Sequence, residues 1–164
     1  MTEDRTPKRK EFTRLIERCR NYPHQMVEQS EGYRVLAGVG EPLRRLIEDG
    51  YLLGLATGNL EAAAHIKLHR IRVNRFFSFG GYGSDCTDRA ELTHVARARA
   101  ARVFGEPVTS DQTIVVGDTP QDVGGVQPAG IQCTGVRSHH FNVKQLQEAR
   151  ADYAIASLQE ALPL

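Results

Sequence analysis

Residues Thr113–Asp122 read TIVVGDTPQD. Ile114–Gly117 is an uncharged stretch suited to a buried strand and runs directly into Asp118; Thr119 then stands as a good helix N-cap and Pro120 as a good first helical residue. A strand that ends on a polar turn and enters a helix at once is half of a βα unit, and the chain repeats that alternation. Tyr51–Thr57 (YLLGLAT) reads as a buried strand, Glu61–Arg70 as a helix, Phe76–Phe79 (FFSF) as a strand and Asp88–Phe104 as a long alanine-rich helix closed by Gly105. Gln132–Val136 reads as a strand, a helix begins at Val143 behind the cap Asn142, and Tyr153–Ala156 is a last short strand. Ser157 and Glu160 have the spacing of a capping box for a final turn. Strand and helix periods trading places over short connections predict a Rossmann-like three-layer α/β/α fold with a mainly parallel sheet.

The 164 residues, 40% of them apolar, suffice for one core. Twenty-one basic against twenty acidic side chains give a net charge of +1, so no long-range field points to nucleic acid or an anionic membrane as partner. Cys19, Cys86 and Cys133 are far apart and form no C-x-x-C, which argues for small buried hydrophobes in a reducing compartment. No apolar run follows the basic Lys8-Arg9-Lys10, and none approaches membrane length, so a cytoplasmic protein is expected. Residues 1–35 are expected to form a solvated arm and an amphipathic helix with Phe12, Leu15, Ile16 and Cys19 on one face; residues 36–164 form the α/β core, beginning with a short helix from Pro42 that stops at Gly50.

In an open parallel sheet, ligands bind beyond the carboxyl ends of the strands. The first strand ends in Thr57-Gly58-Asn59, which either caps the next helix or offers a hydroxyl beside helical N–H groups that suit an anion. Asp122, at the third helical position, suits the helix dipole; Asp118 follows the apolar IVVG and would face the crevice, where an unpaired carboxylate is costly. Two carboxylates there suit a hard divalent cation such as Mg²⁺. In the loop GGYGSDCTDR (Gly80–Arg89), with Thr87 as the expected cap, Arg89 falls in a first helical turn and opposes the macrodipole by roughly 0.3–1 kcal/mol. Either a salt bridge to Asp85 or Asp88 or a bound phosphate offsets that. Gly80, Gly81 and Gly83 have the wrong spacing for a dinucleotide loop, His65 and His69 lack the glutamate of H-E-x-x-H and read as a solvated face, and His139-His140 reads as surface.

LGLATGN (Leu53–Asn59), an arginine opening a helix after GGYGSDCTD, and VVGDTPQDV (Val115–Val123), in that order, resemble the haloacid dehalogenase-like (HAD) superfamily in its phosphoglycolate-phosphatase-like branch. The likeness runs from about Leu36 to Leu164 and includes the QPAG turn, Gln127–Gly130. It implies a Mg²⁺-dependent phosphatase of a small phosphorylated metabolite. In that role Thr57 donates its hydroxyl to the phosphoryl group, Gly58 and Asn59 contribute N–H groups, Arg89 replaces the more common lysine, and Asp118 holds Mg²⁺ with Asp122 behind it.

The family opens on an apolar strand bearing an aspartate nucleophile, an aspartate acid/base two residues later and then Gly-Thr. These 164 residues hold no such stretch: Asp4 follows no apolar residue but Met1, and Asp49 closes a helix. The expectation is a HAD-like core lacking its first, central strand and most of its cap, truncated and catalytically impaired. A non-catalytic phosphate- and metal-binding module or subunit is the alternative, and an unrelated α/β domain a third. Five buried apolar side chains at about 1.5–3 kcal/mol each would amount to about 10 kcal/mol, the size of a domain's net stability. The strands at Leu52–Thr57 and Ile114–Gly117 are therefore expected either to close on each other or to leave a gap covered by another segment, by self-association or by a partner chain.

Overall fold

The structure, a computed structural model, describes residues 39–163; the expected arm and the Phe12–Cys19 helix lie outside them. In chain order the elements are α1 (Gly40–Glu48), β1 (Gly54–Thr57), α2 (Glu61–Arg70), β2 (Phe79–Tyr82), α3 (Arg89–Phe104), β3 (Ile114–Gly117), α4 (Pro120–Val126), β4 (Gln132–Val136), α5 (Val143–Glu148) and β5 (Tyr153–Ile155). Every strand pairing among them is parallel, as the alternation requires.

Capping explains where several helices begin. Thr119 and Asp122 form a reciprocal capping box at α4 with Pro120 just inside, and Asn142 and Gln145 do the same at α5. Asp88, not Thr87, caps α3, its carboxylate accepting from the Glu91 N–H. Gly105 closes α3 at φ +91°, a left-handed conformation that strains other residues. At the chain's end no capping box forms: the Ser157 hydroxyl accepts from Gln159 N–H and Glu160 from Ala156 N–H.

One strand is displaced from its expected place. Asn74–Phe76 is a 3₁₀ turn, and β2 follows at Phe79–Tyr82, taking in the glycines expected in the loop. The cause is tertiary: α3 lies so close over β2 that a Cβ at Gly81 would collide with the Leu92 carbonyl. Glycine is required there although it weakens a strand locally.

The sheet is in two parts, β1-β2 and β3-β4-β5. No ladder joins β1 to β3, so those strands have not closed on each other. Each part has its own core. Over β2, α3 contributes the fully buried Leu92, with Ala96 and Ala100, while Tyr82 is 2% exposed. Between α4, β4 and α5 lie Val123, Val126, Ile131, Cys133 and Leu146. Burial pushes the Cys133 thiol up to about 11, with Asp122 and Asp152 adding to the shift. No helix among the described residues is long and apolar enough to cross a membrane.

Truncating Leu92 to Ala in this close-packed layer is expected to cost about 2–5 kcal/mol. Val103→Ala, at a side chain 52% exposed on the same helix, should change stability by less than about 0.5 kcal/mol. Urea midpoints of the two variants check the contrast; equal shifts would mean that α3 does not pack as described.

Candidate functional site

At the carboxyl ends of β1 and β3, Thr57, Asn59, Arg89, Asp118 and Asp122 line one cleft of about 670 Å³. Residues separated by up to 65 positions in sequence (122 − 57) thus converge. Gly58 sits in the turn between two of them, and its carbonyl lies against Gly83, where a Cβ would clash. That close approach, with Gly83 N–H donating to the Asn59 carbonyl at 2.8 Å, ties the loop after β1 to the loop after β2.

The Thr57-Gly58-Asn59 turn is closed on itself. The Thr57 hydroxyl oxygen accepts from the Asn59 N–H at 3.2 Å and from its side-chain amide at 2.9 Å. Neither residue caps α2, whose N-cap is Leu60 with no side-chain bond. Thr57 therefore keeps its own O–H proton to donate, while the Asn59 N–H is engaged within the turn. Lys67, absent from the sequence-based set, donates from Nζ to Asn59 Oδ1 at 2.8 Å and brings a second cation to this corner. Eight residues separate the two, and no local pattern marks the pairing.

Arg89 is held from two sides. Its Nε lies 3.1 Å from Asp122 Oδ1, and its Nη1 donates to the Ala56 carbonyl at 3.2 Å. The salt bridge that relieves the charge at the start of α3 thus goes to Asp122, and not to Asp85 or Asp88. Asp85 is taken by Arg99 in a two-pronged pair, both bonds 2.8 Å. Gly125 on α4 admits this arrangement, because a Cβ there would run into Arg89 Cβ.

The two aspartates differ in what they have left to offer. Asp122 is committed on both oxygens, Oδ1 to Arg89 and Oδ2 to the Thr119 N–H and hydroxyl. Asp118, half-buried in the cleft, has no hydrogen-bond or ion-pair partner among the described residues. An unpaired carboxylate in a partly dry crevice favours a cation. It is a hard oxygen donor of the kind Mg²⁺ takes, one or two carboxylates at a time with water completing the shell. No cluster of three acidic, histidine or cysteine side chains suited to a metal occurs among the described residues.

The histidines lie elsewhere. His65 is not on a solvated face: its ring nitrogens meet Asn74 Oδ1 at 2.6 Å and the Tyr82 hydroxyl at 3.0 Å, part-buried against β2. The exposed His139 and His140 do not line the cleft.

A family model described as haloacid dehalogenase-like hydrolase matches residues 2–136. Over 129 residues the chain is 26% identical to a phosphoglycolate phosphatase of Pseudomonas putida and 24% identical to one of Pseudomonas fluorescens, covering 79% of this chain and 46% of each relative. The chain spans about half the length of the curated relatives it matches. Its fold is similar to that of a β-phosphoglucomutase from Clostridium difficile, with TM-score 0.66, 18% identity, and 92% of this chain and 63% of that one covered. It is similar as well to a haloacid dehalogenase-like family hydrolase from Streptococcus pneumoniae, with TM-score 0.66, 17% identity and coverage of 93% and 69%.

The loop leading to Arg89 makes a pH prediction. The Arg99 guanidinium, foremost by its hydrogen bonds, holds the Asp85 carboxyl below the usual range, assisted by the Tyr82 N–H and opposed by partial burial. A carboxyl with a lowered native value contributes stability that is present above its unfolded value near 3.9 and lost as pH falls through the native one. Carboxyl titration by NMR should show Asp85 below its random-coil value in the parent and close to it in Arg99→Gln; identical curves would refute the pairing.

Proposed function

The chain belongs to the haloacid dehalogenase-like hydrolase family, and on that premise we propose that the rim of its cleft binds the phosphoryl group of a small phosphorylated metabolite together with Mg²⁺. The convergence of Thr57, Arg89 and the unpartnered Asp118 on one cleft carries the proposal. The Thr57 hydroxyl donates to a phosphoryl oxygen, with the Gly58 N–H beside it. Arg89, braced by Asp122 and Ala56, spends two donors on the protein and keeps others of its five for the oxyanion. Asp118 would hold Mg²⁺, with Asp122 behind it as the residue that fixes Arg89 and the start of α4. The ion supplies charge neutralisation at the phosphoryl oxygens. The Asn59 N–H, engaged with Thr57, shapes the turn in preference to binding phosphate.

The proposed reaction class is phosphoric monoester hydrolysis, named on the similar phosphoglycolate phosphatases. A covalent route needs a carboxylate nucleophile. The carboxylates that line the cleft among the described residues are Asp118 and Asp122, and both belong to the cation side. We therefore read these 164 residues as a binding site whose turnover is impaired, in a cytoplasmic protein. A wholly non-catalytic phosphate- and metal-binding subunit is the second reading, favoured by the commitment of Asp122 to structure.

Calorimetry tests binding. Inorganic phosphate with Mg²⁺ should bind the parent chain; Arg89→Met should weaken phosphate, and Asp118→Asn should weaken Mg²⁺, each by roughly tenfold or more, the value of one charge-assisted contact. Absence of heat above dilution in the parent would overturn the proposal. Turnover of p-nitrophenyl phosphate should lie on the order of 10⁶ below that of a complete enzyme. Rates of several per second, which are ordinary for enzymes, would overturn the impairment.

A further inference from the structure

Resting on the reading of this cleft as a phosphoryl site, we propose that Lys67 is a positioning residue: through the Asn59 amide it makes the Thr57 hydroxyl a donor only and reserves that proton for the ligand. Three polar groups stand in a row. Lys67 Nζ donates to Asn59 Oδ1 at 2.8 Å, and Asn59 Nδ2 donates to Thr57 Oγ1 at 2.9 Å. Chemistry forces the direction of each bond. An ammonium carries donors and no acceptor, so the amide turns its oxygen toward Lys67. The NH₂ group, which has donors alone, then faces Thr57, and the hydroxyl oxygen accepts. The Asn59 main-chain N–H fills the second acceptor position of that oxygen at 3.2 Å. With both lone pairs of Oγ1 engaged, the O–H proton is what Thr57 has left to offer.

The same geometry shows what the lysine prevents. A side-chain amide presents an oxygen on one side and donors on the other, and a half-turn about its last torsion exchanges them. A reversed Asn59 would set its oxygen against Thr57 and draw the hydroxyl proton into the turn, away from the cleft. Lys67 separates the two orientations, because reversal would place NH₂ against an ammonium, donor against donor. Bonds in series also polarise one another, which strengthens the last donor of the row.

Lys67 reaches the turn from eight positions away. Side chains on a helix tilt toward its N-terminus, so a residue on α2 sends its stem back toward the loop that precedes the helix. Position 63, one turn nearer that loop on the same face, is alanine. Thr57 and Asn59 line the cleft and the half-buried Lys67 does not, so the lysine acts on a ligand through the amide, whereas Arg89 faces the ligand itself.

The test uses the full 164-residue chain, with inorganic phosphate and Mg²⁺ as the probe. Calorimetry on the parent comes first: no binding there would remove the phosphoryl-site reading and this role with it. Given binding, Lys67→Met, which keeps a long stem without a donor, should weaken phosphate by about fivefold or more. Lys67→Arg, which retains a donor for the amide oxygen, should stay within about twofold of the parent. In an Asn59→Ala background the same Lys67→Met change should shift affinity by less than about twofold, since the amide it orients is gone. A lysine acting by its charge alone would weaken binding equally in both backgrounds; that result would overturn the role and leave the phosphoryl site standing. A second readout needs no ligand. In isotope-labelled chain the Asn59 side-chain amide protons should resonate away from free-asparagine positions, return toward them in Lys67→Met and in Thr57→Val, and stay in place in Lys67→Arg. Free-asparagine positions in the parent would overturn the fixed amide.

Discussion

Among the described residues no ladder joins β1 to β3, and the two half-sheets meet through the contact between α3 and α4. Its tightest point is the first turn of α3, where Arg89 sits on the face that Gly125 leaves bare. The ion pair to Asp122 lies at that point, with side chains 29% and 14% exposed, so it is only partly screened by water. The brace between the halves and the cation of the anion site are consequently one side chain. Loss of Arg89 removes both at once, and a smaller variant at Gly125 is not available.

The choice of arginine follows from this double duty. A lysine ammonium is a compact point charge, and committing it to Asp122 would leave little direction for a second ligand. The planar guanidinium places Nε on Asp122 and Nη1 on Ala56 while other donors of the fork stay free. Asp122 is shaped by the same demand. One oxygen faces Arg89 and the other closes the capping box with Thr119, so the carboxylate left for a metal is Asp118. Its position depends on the glycine before it, since a Cβ at Gly117 would collide with Asp122.

What the sequence made legible was whatever is decided within one turn of chain. The IVVG strand, the Thr119–Asp122 box, Pro120 at the helix start and the Asn142 cap are local chemistry, and each appears where the residues place it. The displaced β2 was illegible because its glycines answer to the carbonyl of Leu92, eleven residues past Gly81 (92 − 81) and on another element. Arg89's partner was equally hidden: two nearby aspartates compete on paper, but Asp85 belongs to Arg99 and Asp88 to the α3 cap. His65 looked solvated because helical spacing says nothing about Tyr82 arriving from β2. The membership of Thr57, Asn59, Arg89, Asp118 and Asp122 in one cleft follows from topology, since strand ends of a parallel sheet share a rim. The internal bonds that take the Asn59 N–H and both Asp122 oxygens out of circulation do not.

The open centre raises the question of why β1 and β3 do not slide together. Closing them would bury Leu52 and Val116 and pair two edges, gains of a few kcal/mol by area alone. It would also have to move α3, which is packed on β1 and β2 through Leu92 and Tyr82, relative to α4, which is packed on β3 and β4 through Val123 and Val126. Interiors at crystal-like density resist such shear, and the Arg89 seat on Gly125 leaves no slack for it. Two small cores thus hold apart two edges that no described strand pairs. The separation of the two half-sheets is thus set by helix packing outside the cleft.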